Sequence, residues 1–184
     1  MKKILTILMV IMLAGAAVFA ADVSGPTKIV LNYKVLGSDV SFKMVDASST
    51  GLDSVTSIEF GDISGLNHNL TVLSDQSFKF IYNYNIPSSV EQGQTFSTGT
   101  YRLGIACQGL QLNGSGKYLI SAEFVKASDT NTAVAWPSLT IALGDSAFDK
   151  TYGEAFRVKL ANISGSSIKA GSYTGVVSIS LTNY

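Results

Sequence analysis

Apolar and polar residues take turns, one by one, along most of this chain. In 173–182 the apolar positions are Val177, Ile179 and Leu181 and the polar ones Ser178, Ser180 and Thr182. A period of two puts one set in a core and the other in water, which predicts a half-buried strand. The same period recurs in 28–36, 40–45, 57–60, 70–73, 78–85, 101–107, 118–125, 139–143 and 155–160, whereas helical i, i+3, i+4 spacing is hard to find. Turn formers such as Gly37-Ser38-Asp39, Asn113-Gly114-Ser115-Gly116 and Ser164-Gly165-Ser166 separate the runs, supplying positive φ and short side chains that bond the backbone. The stretches 46–54 and 87–98 are low in aliphatic residues and read as loops. About ten short strands with no crossover helices predict one all-β domain, an antiparallel β-sandwich.

The first twenty residues depart from this pattern. Lys2 and Lys3 precede a continuous apolar run that closes on Val18-Phe19-Ala20, the layout of a secretory signal peptide. The expected mature chain starts near Ala21 and forms a single domain over 21–184, exported to the periplasm, cell surface or medium, with no membrane insertion after cleavage. The whole sequence carries 13 basic and 13 acidic residues; without the two leader lysines the balance is slightly acidic and free of blocks, which implies no nucleic-acid partner. Cys107 is the only cysteine. It shares an alternating face with Tyr101, Leu103 and Ile105, so it reads as a small buried hydrophobe.

Motifs for chemistry are sparse. His68 is the only histidine and sits in a turn-like stretch, and there is no spacing for a zinc site or a nucleophile triad. The single His and the single Cys are therefore read as structural. Asp145 and Asp149 bracket a loop that lacks the alternating carboxylates of a calcium site. A pair of glycosidase carboxylates could be drawn from Glu59, Glu123 and Glu154 without leaving a sequence signature. Phe78, Phe80, Tyr82 and Tyr84 share one face of a strand; they could form a sugar-stacking platform, but the preferred reading is a core face, and Trp136 is read the same way. The sequons at Asn69, Asn113 and Asn162 carry little weight beside a leader of bacterial type. No enzyme activity, metal or cofactor is expected.

The end of the chain resembles a known motif. Counting back from Tyr184, Gly171 is fourteenth and Leu181, Ile179 and Val177 are fourth, sixth and eighth. This resembles the terminal strand of subunits assembled by the periplasmic chaperone–usher route, except that Asn183 stands where that family has its penultimate aromatic. Ala170-Gly171-Ser172-Tyr173-Thr174-Gly175 and Ile58-Glu59-Phe60-Gly61-Asp62 are similar to segments of the related spore coat protein U group. The disulfide common in both groups has no counterpart. The resemblance implies an immunoglobulin-like sandwich lacking one strand, whose groove is filled by an N-terminal extension of the next subunit. It also implies other subunits, and a periplasmic chaperone, as partners.

On that reading the assembly strand comprises Gly171, Tyr173, Val177, Ile179, Leu181 and Tyr184. The donor candidate is 27–35, with Ile29, Leu31, Tyr33 and Val35 on one side. The same segment reads slightly better as the domain's own first strand, because so few residues precede it in the mature chain. The function expected is that of a pilus or coat subunit acting by strand pairing. The alternative is a stand-alone secreted module that binds carbohydrate through exposed aromatics.

Overall fold

The computed structural model describes residues 27–34, 39–60, 63, 71–113, 117–162 and 171–183. The leader, Val35, His68, Tyr184 and most of the turn 113–116 lie outside the described residues. Ten strands run in chain order: β1 (Thr27–Lys34), β2 (Val40–Asp46), β3 (Ser57–Phe60), β4 (Val72–Leu73), β5 (Phe78–Asn85), β6 (Gly99–Leu112), β7 (Tyr118–Lys126), β8 (Ser138–Ile141), β9 (Ser146–Asn162) and β10 (Tyr173–Asn183). Among the described residues there is no helix.

The strands form one curled, mixed sheet in the order β2-β5-β9-β7-β6-β10-β1-β3, with β4 added to β9 and β8 to β6. All pairs but one are antiparallel. The exception is β1, which runs parallel to β10, with Leu31 opposite Val177, and antiparallel to β3 on its other side. The expectation of a wholly antiparallel arrangement is corrected at this one pair. A parallel pair needs a long connection, and here almost the whole chain lies between its two members.

Two strands are much longer than their alternation suggests. β9 spans 17 residues, and its pairing with β5 is twice irregular: Phe78 and Phe80 face Phe156 and Tyr152, and Tyr82 and Tyr84 face Lys150 and Ala147. The extra residues include Gly153 at φ 71° and Asp149 at φ 50°. In β6 the bulge is Gln108 and Gly109, two residues opposite the single Val176, since Gly175 and Val177 face Leu110 and Cys107. Gly109 has φ 97°, and a Cβ there would lie 2.3 Å from the Ile120 carbonyl oxygen, so no other residue fits. Bulges of this kind bend and twist a strand. They let the first half of β9 pair with β5 and its second half with β7, and they let β6 pass from β8 to β7.

The curl brings the two ends of the strand order near each other. The Val55 amide donates to the Met44 carbonyl of β2 at 2.8 Å, and the Leu31 amide of β1 donates to the Thr56 carbonyl at 3.0 Å. One continuous apolar cluster fills the interior, from Phe42 and Met44 through Phe80 and Phe156 to Ile29, Val177 and Ile179. Aromatic rings dominate its β2-β5-β9 part. Phe80 lies 5.0 Å from both Phe42 and Phe156, and Trp136 lies 5.3 Å from Phe80 and 5.4 Å from Phe156 in edge-on contacts.

Where a strand runs out, side chains take over the backbone bonds. β8 pairs with β6 up to Arg102, opposite Ser138, and the residue before Ser138 is a proline with no N–H. The buried Tyr152 hydroxyl bridges this gap. It accepts the Leu103 amide at 3.4 Å and donates to the Pro137 carbonyl. Burial raises the phenol above its ordinary pKa, against weaker opposing effects of the Leu103 amide and the Arg102 charge, so it remains a neutral donor. Ser74, after β4, plays a comparable part: its hydroxyl accepts the Val158 amide at 3.1 Å and donates to the Gln76 carbonyl at 2.8 Å.

Tyr152→Phe removes one buried partner from each of two backbone groups. The expected result is a loss of about 1–3 kcal/mol in urea denaturation with the strand signal in circular dichroism unchanged. Gly109→Ala should be the more damaging change, because it combines a positive φ with an overlap against backbone.

Candidate functional site

β10 lies between two strands of its own chain, with β6 on one side and β1 on the other. Tyr173, Val177, Ile179 and Leu181 are buried, and Val176, Ser178 and Thr182 are exposed, as the alternation requires. Opposite the buried row stand Cys107, Ile105 and Leu103 of β6 and, on β1, Leu31 beside Val177 and Ile29 beside Gly175. Gly171 opens the strand at φ 141°, and a Cβ there would meet Leu112 Cδ1 at 2.5 Å. Its glycine is thus favoured locally, by the positive φ rather than by the movable Leu112 side chain. Gly175 is demanded by contact, since a Cβ would lie 2.7 Å from the Gly109 carbonyl oxygen.

The donor candidate is found in the same chain. Ile29 and Leu31 are buried, and the backbone of Tyr33 pairs with Ile179. Thr27 is also fully buried, and its hydroxyl has no hydrogen-bond partner among the described residues. Tyr184 and Val35 fall outside the described residues. On the outer face, Val176 and Tyr118 are exposed and share two shallow grooves of about 280 and 300 Å³. Ala106, Gln108 and Ser178 line one, and Val30, Gln111 and Thr174 the other, with no charged side chain in either among the described residues.

The remaining candidates are dispersed. Cys107 is half-buried on the face toward Val177; burial raises its thiol pKa, partly offset by the Gly109 amide that donates to Sγ at 3.3 Å. Glu123 pairs with Lys159 at 3.2 Å and Glu154 with Lys126 at 3.1 Å. Glu59, on β3, lines a cleft of about 290 Å³ with Asp75 instead. Asp145 closes its own turn by accepting the Ala142 amide at 2.9 Å. Among the described residues no three His, Cys, Asp or Glu side chains converge as a metal site would need. Phe78 and Phe80 are buried, and Trp136 packs against the core cluster.

Tyr82 and Tyr84 are only half-buried and stack on each other at 5.9 Å. Beside them lies a feature that sequence reasoning missed. Phe148, alternate to buried Ala147 and next to the bulge at Asp149, is 65% exposed, over an open cleft of about 210 Å³ with Asp39, Ser41, Asn83, Tyr84 and Asn85. The Asp149 amide donates to Asn83 Oδ1 at 2.7 Å, which holds the bulge to β5. Asp39 accepts the Ser97 amide at 2.6 Å and its hydroxyl at 2.9 Å. Burial opposes the charge on Asp39, but these bonds outweigh it and hold the carboxyl below its ordinary pKa. The only signal in the sequence was a Phe between small and acidic residues, where alternation had already failed.

Comparison with protein families finds none whose model matches the chain, and comparison with curated proteins finds no relative.

Two outcomes are expected from this geometry. Ile179→Asp places a carboxylate at a fully buried position whose partners in register are Ile105 and Tyr33 and should abolish folding, whereas Ser178→Asp on the outer face should shift stability by no more than about 0.5 kcal/mol in urea melts. Asp39 has a lowered folded pKa, so its tether to Ser97 contributes stability above the unfolded value near 3.8 and loses it as pH falls through the folded value. Urea melts at pH 7 and pH 3 should therefore differ less in Asp39→Asn than in the parent protein.

Proposed function

We propose that the protein is an exported structural subunit that joins further copies of itself by β-strand pairing. The reading takes the curled sheet as an immunoglobulin-like sandwich and the first twenty residues as a cleaved leader. The observation that carries it is the placement of β1: a strand from one end of the chain occupies the slot between β10 and β3, in the one parallel pairing of the sheet. That slot cannot stay empty. Removing buried Ile29 and Leu31 from it would expose apolar surface worth roughly 1.5–3 kcal/mol for each side chain and would leave two unpaired strand edges. It does not matter to the slot which copy supplies the strand. Only five residues, 35–39, separate β1 from β2, and a short connection favours exchange of a terminal element between copies.

The uncharged grooves around Val176 and Tyr118 add a contact face without repulsion, suited to a neighbouring copy. A periplasmic chaperone would serve the same physics by covering the slot until a second subunit arrives, and the terminal strand's resemblance to chaperone–usher subunits supports that partner. A cell-surface or extracellular destination follows from the leader.

The test is a covalent lock. Val30 and Val176 are Cα partners with side chains outside the core, so Val30→Cys with Val176→Cys, in a Cys107→Ala background, should tie β1 to its own chain on oxidation. The reduced protein should form a ladder of multimers on concentration and the oxidised protein should stay monomeric. Equal assembly in both states, or a parent protein that is monomeric at every concentration, would exclude exchange of β1. A chain lacking 21–35 should fold only when a peptide of residues 27–35 is added.

A further inference from the structure

We infer that the cleft under Phe148 is a saccharide-binding subsite that holds one neutral pyranose ring. It belongs to β2, β5 and β9 and shares no strand with the β1–β10 slot, so it stands or falls apart from strand exchange. Three observations carry the inference.

The first is the exposure of Phe148. An aromatic ring at 65% exposure costs solvation that the fold has not relieved, although the interior a few residues away is rich in aromatic contacts. The ring stands on the outer face, alternate to buried Ala147, and the chain bulges beside it at Asp149 with φ 50°, a conformation that is uncommon outside glycine. The Asn83 bond to the Asp149 amide holds that bulge. Bulges are over-represented beside functional sites.

The second is the company Phe148 keeps. Asn83, Asn85, Ser41 and Asp39 line the same cleft. Asn83 spends its carbonyl oxygen on Asp149, which leaves its amide group as a donor. Asp39 is held ionised and oriented by Ser97, with acceptor capacity remaining on each oxygen. An apolar ring face beside amides and a carboxylate matches a sugar, which offers C–H groups on one face and hydroxyls around its rim. The carboxylate disfavours anionic ligands. A peptide strand has no edge to join at β5, because both its sides are paired, to β2 and β9.

The third is size. At about 210 Å³ and open to solvent, the cleft is smaller than the pockets that enclose drug-sized ligands, about 300–1,000 Å³, and suits a single ring at the end of a glycan. Half-buried Tyr84 lines it, stacked on Tyr82.

The experiment is a titration of the ¹⁵N-labelled intact protein with methyl glycosides of glucose, galactose, mannose and N-acetylglucosamine, up to roughly 50 mM, above the millimolar Kd that a single-ring contact implies. At least one should give saturable shifts confined to the Asn83 and Asn85 side-chain amides and the backbone of 147–150. Phe148→Ala should weaken that binding about five- to tenfold without lowering the thermal midpoint, and Phe148→Trp should retain it. Asn85→Ala, at an exposed position, should weaken it also. No saturable shift with any of the four glycosides, or binding that Phe148→Ala leaves unchanged, would overturn the proposal.

Discussion

The row of Val177, Ile179 and Leu181 in β10 must be covered on both sides, and much of the architecture answers that demand. β6 covers one side with Leu103, Ile105 and Cys107, and β1 covers the other, placing Leu31 beside Val177. Because side chains in a strand alternate strictly, a slip of one residue in either partner would turn the whole row outward. The register is therefore set by burial, and two glycines make it sterically feasible. Gly171 lets the chain enter β10 at a positive φ, and Gly175 lets β10 approach the Gly109 carbonyl. The terminal strand thereby links the chain's N-terminal described strand to its middle.

A flat sheet of this width could not enclose its own core. Bulges supply the bend, at Gly109 in β6 and at Asp149 and Gly153 in β9. Each adds residues to one strand of a pair, strengthens the local twist and redirects the strand beyond it. The result is that β7 pairs with the far ends of both long strands, and that the β2 and β3 ends come within reach of the bonds made by Val55 and Thr56. Gly153, at φ 71°, lies against Trp136, and Phe148 stands exposed beside the bulge at Asp149.

Curling a sheet also leaves backbone groups without strand partners, and buried ones must be satisfied. Tyr152 serves the β6 backbone where β8 stops at Pro137, Ser74 serves β9 beyond the short β4, and Asp39 ties Ser97 to the start of β2. Arg157 adds its guanidinium to the Ser74 carbonyl at 2.7 Å. These polar contacts are long in sequence and short in space, so they hold loops to the sheet without any regular pattern along the chain.

Strand existence was legible in the residues themselves. All ten strands fall where period-two alternation placed them, and β10 and β5 match closely at their ends, because alternation is a local consequence of one wet and one dry face. The core role of Phe78, Phe80 and Trp136 followed from the same pattern. Strand length did not, since bulges at Gly109, Asp149 and Gly153 break the alternation that marks a strand, and β6 looked about half and β9 about a third as long as they are. Nor did the parallel partner of β10. Nothing in 27–34 distinguishes a strand that pairs forwards from one that pairs backwards, because both orientations put the same side chains on the same face; only the packed chain, with β3 on the other flank, selects one. The cleft beside exposed Phe148 was hidden for a related reason: the adjoining bulge at Asp149 is held by Asn83, 66 residues away, and a contact at that separation leaves no trace in local sequence.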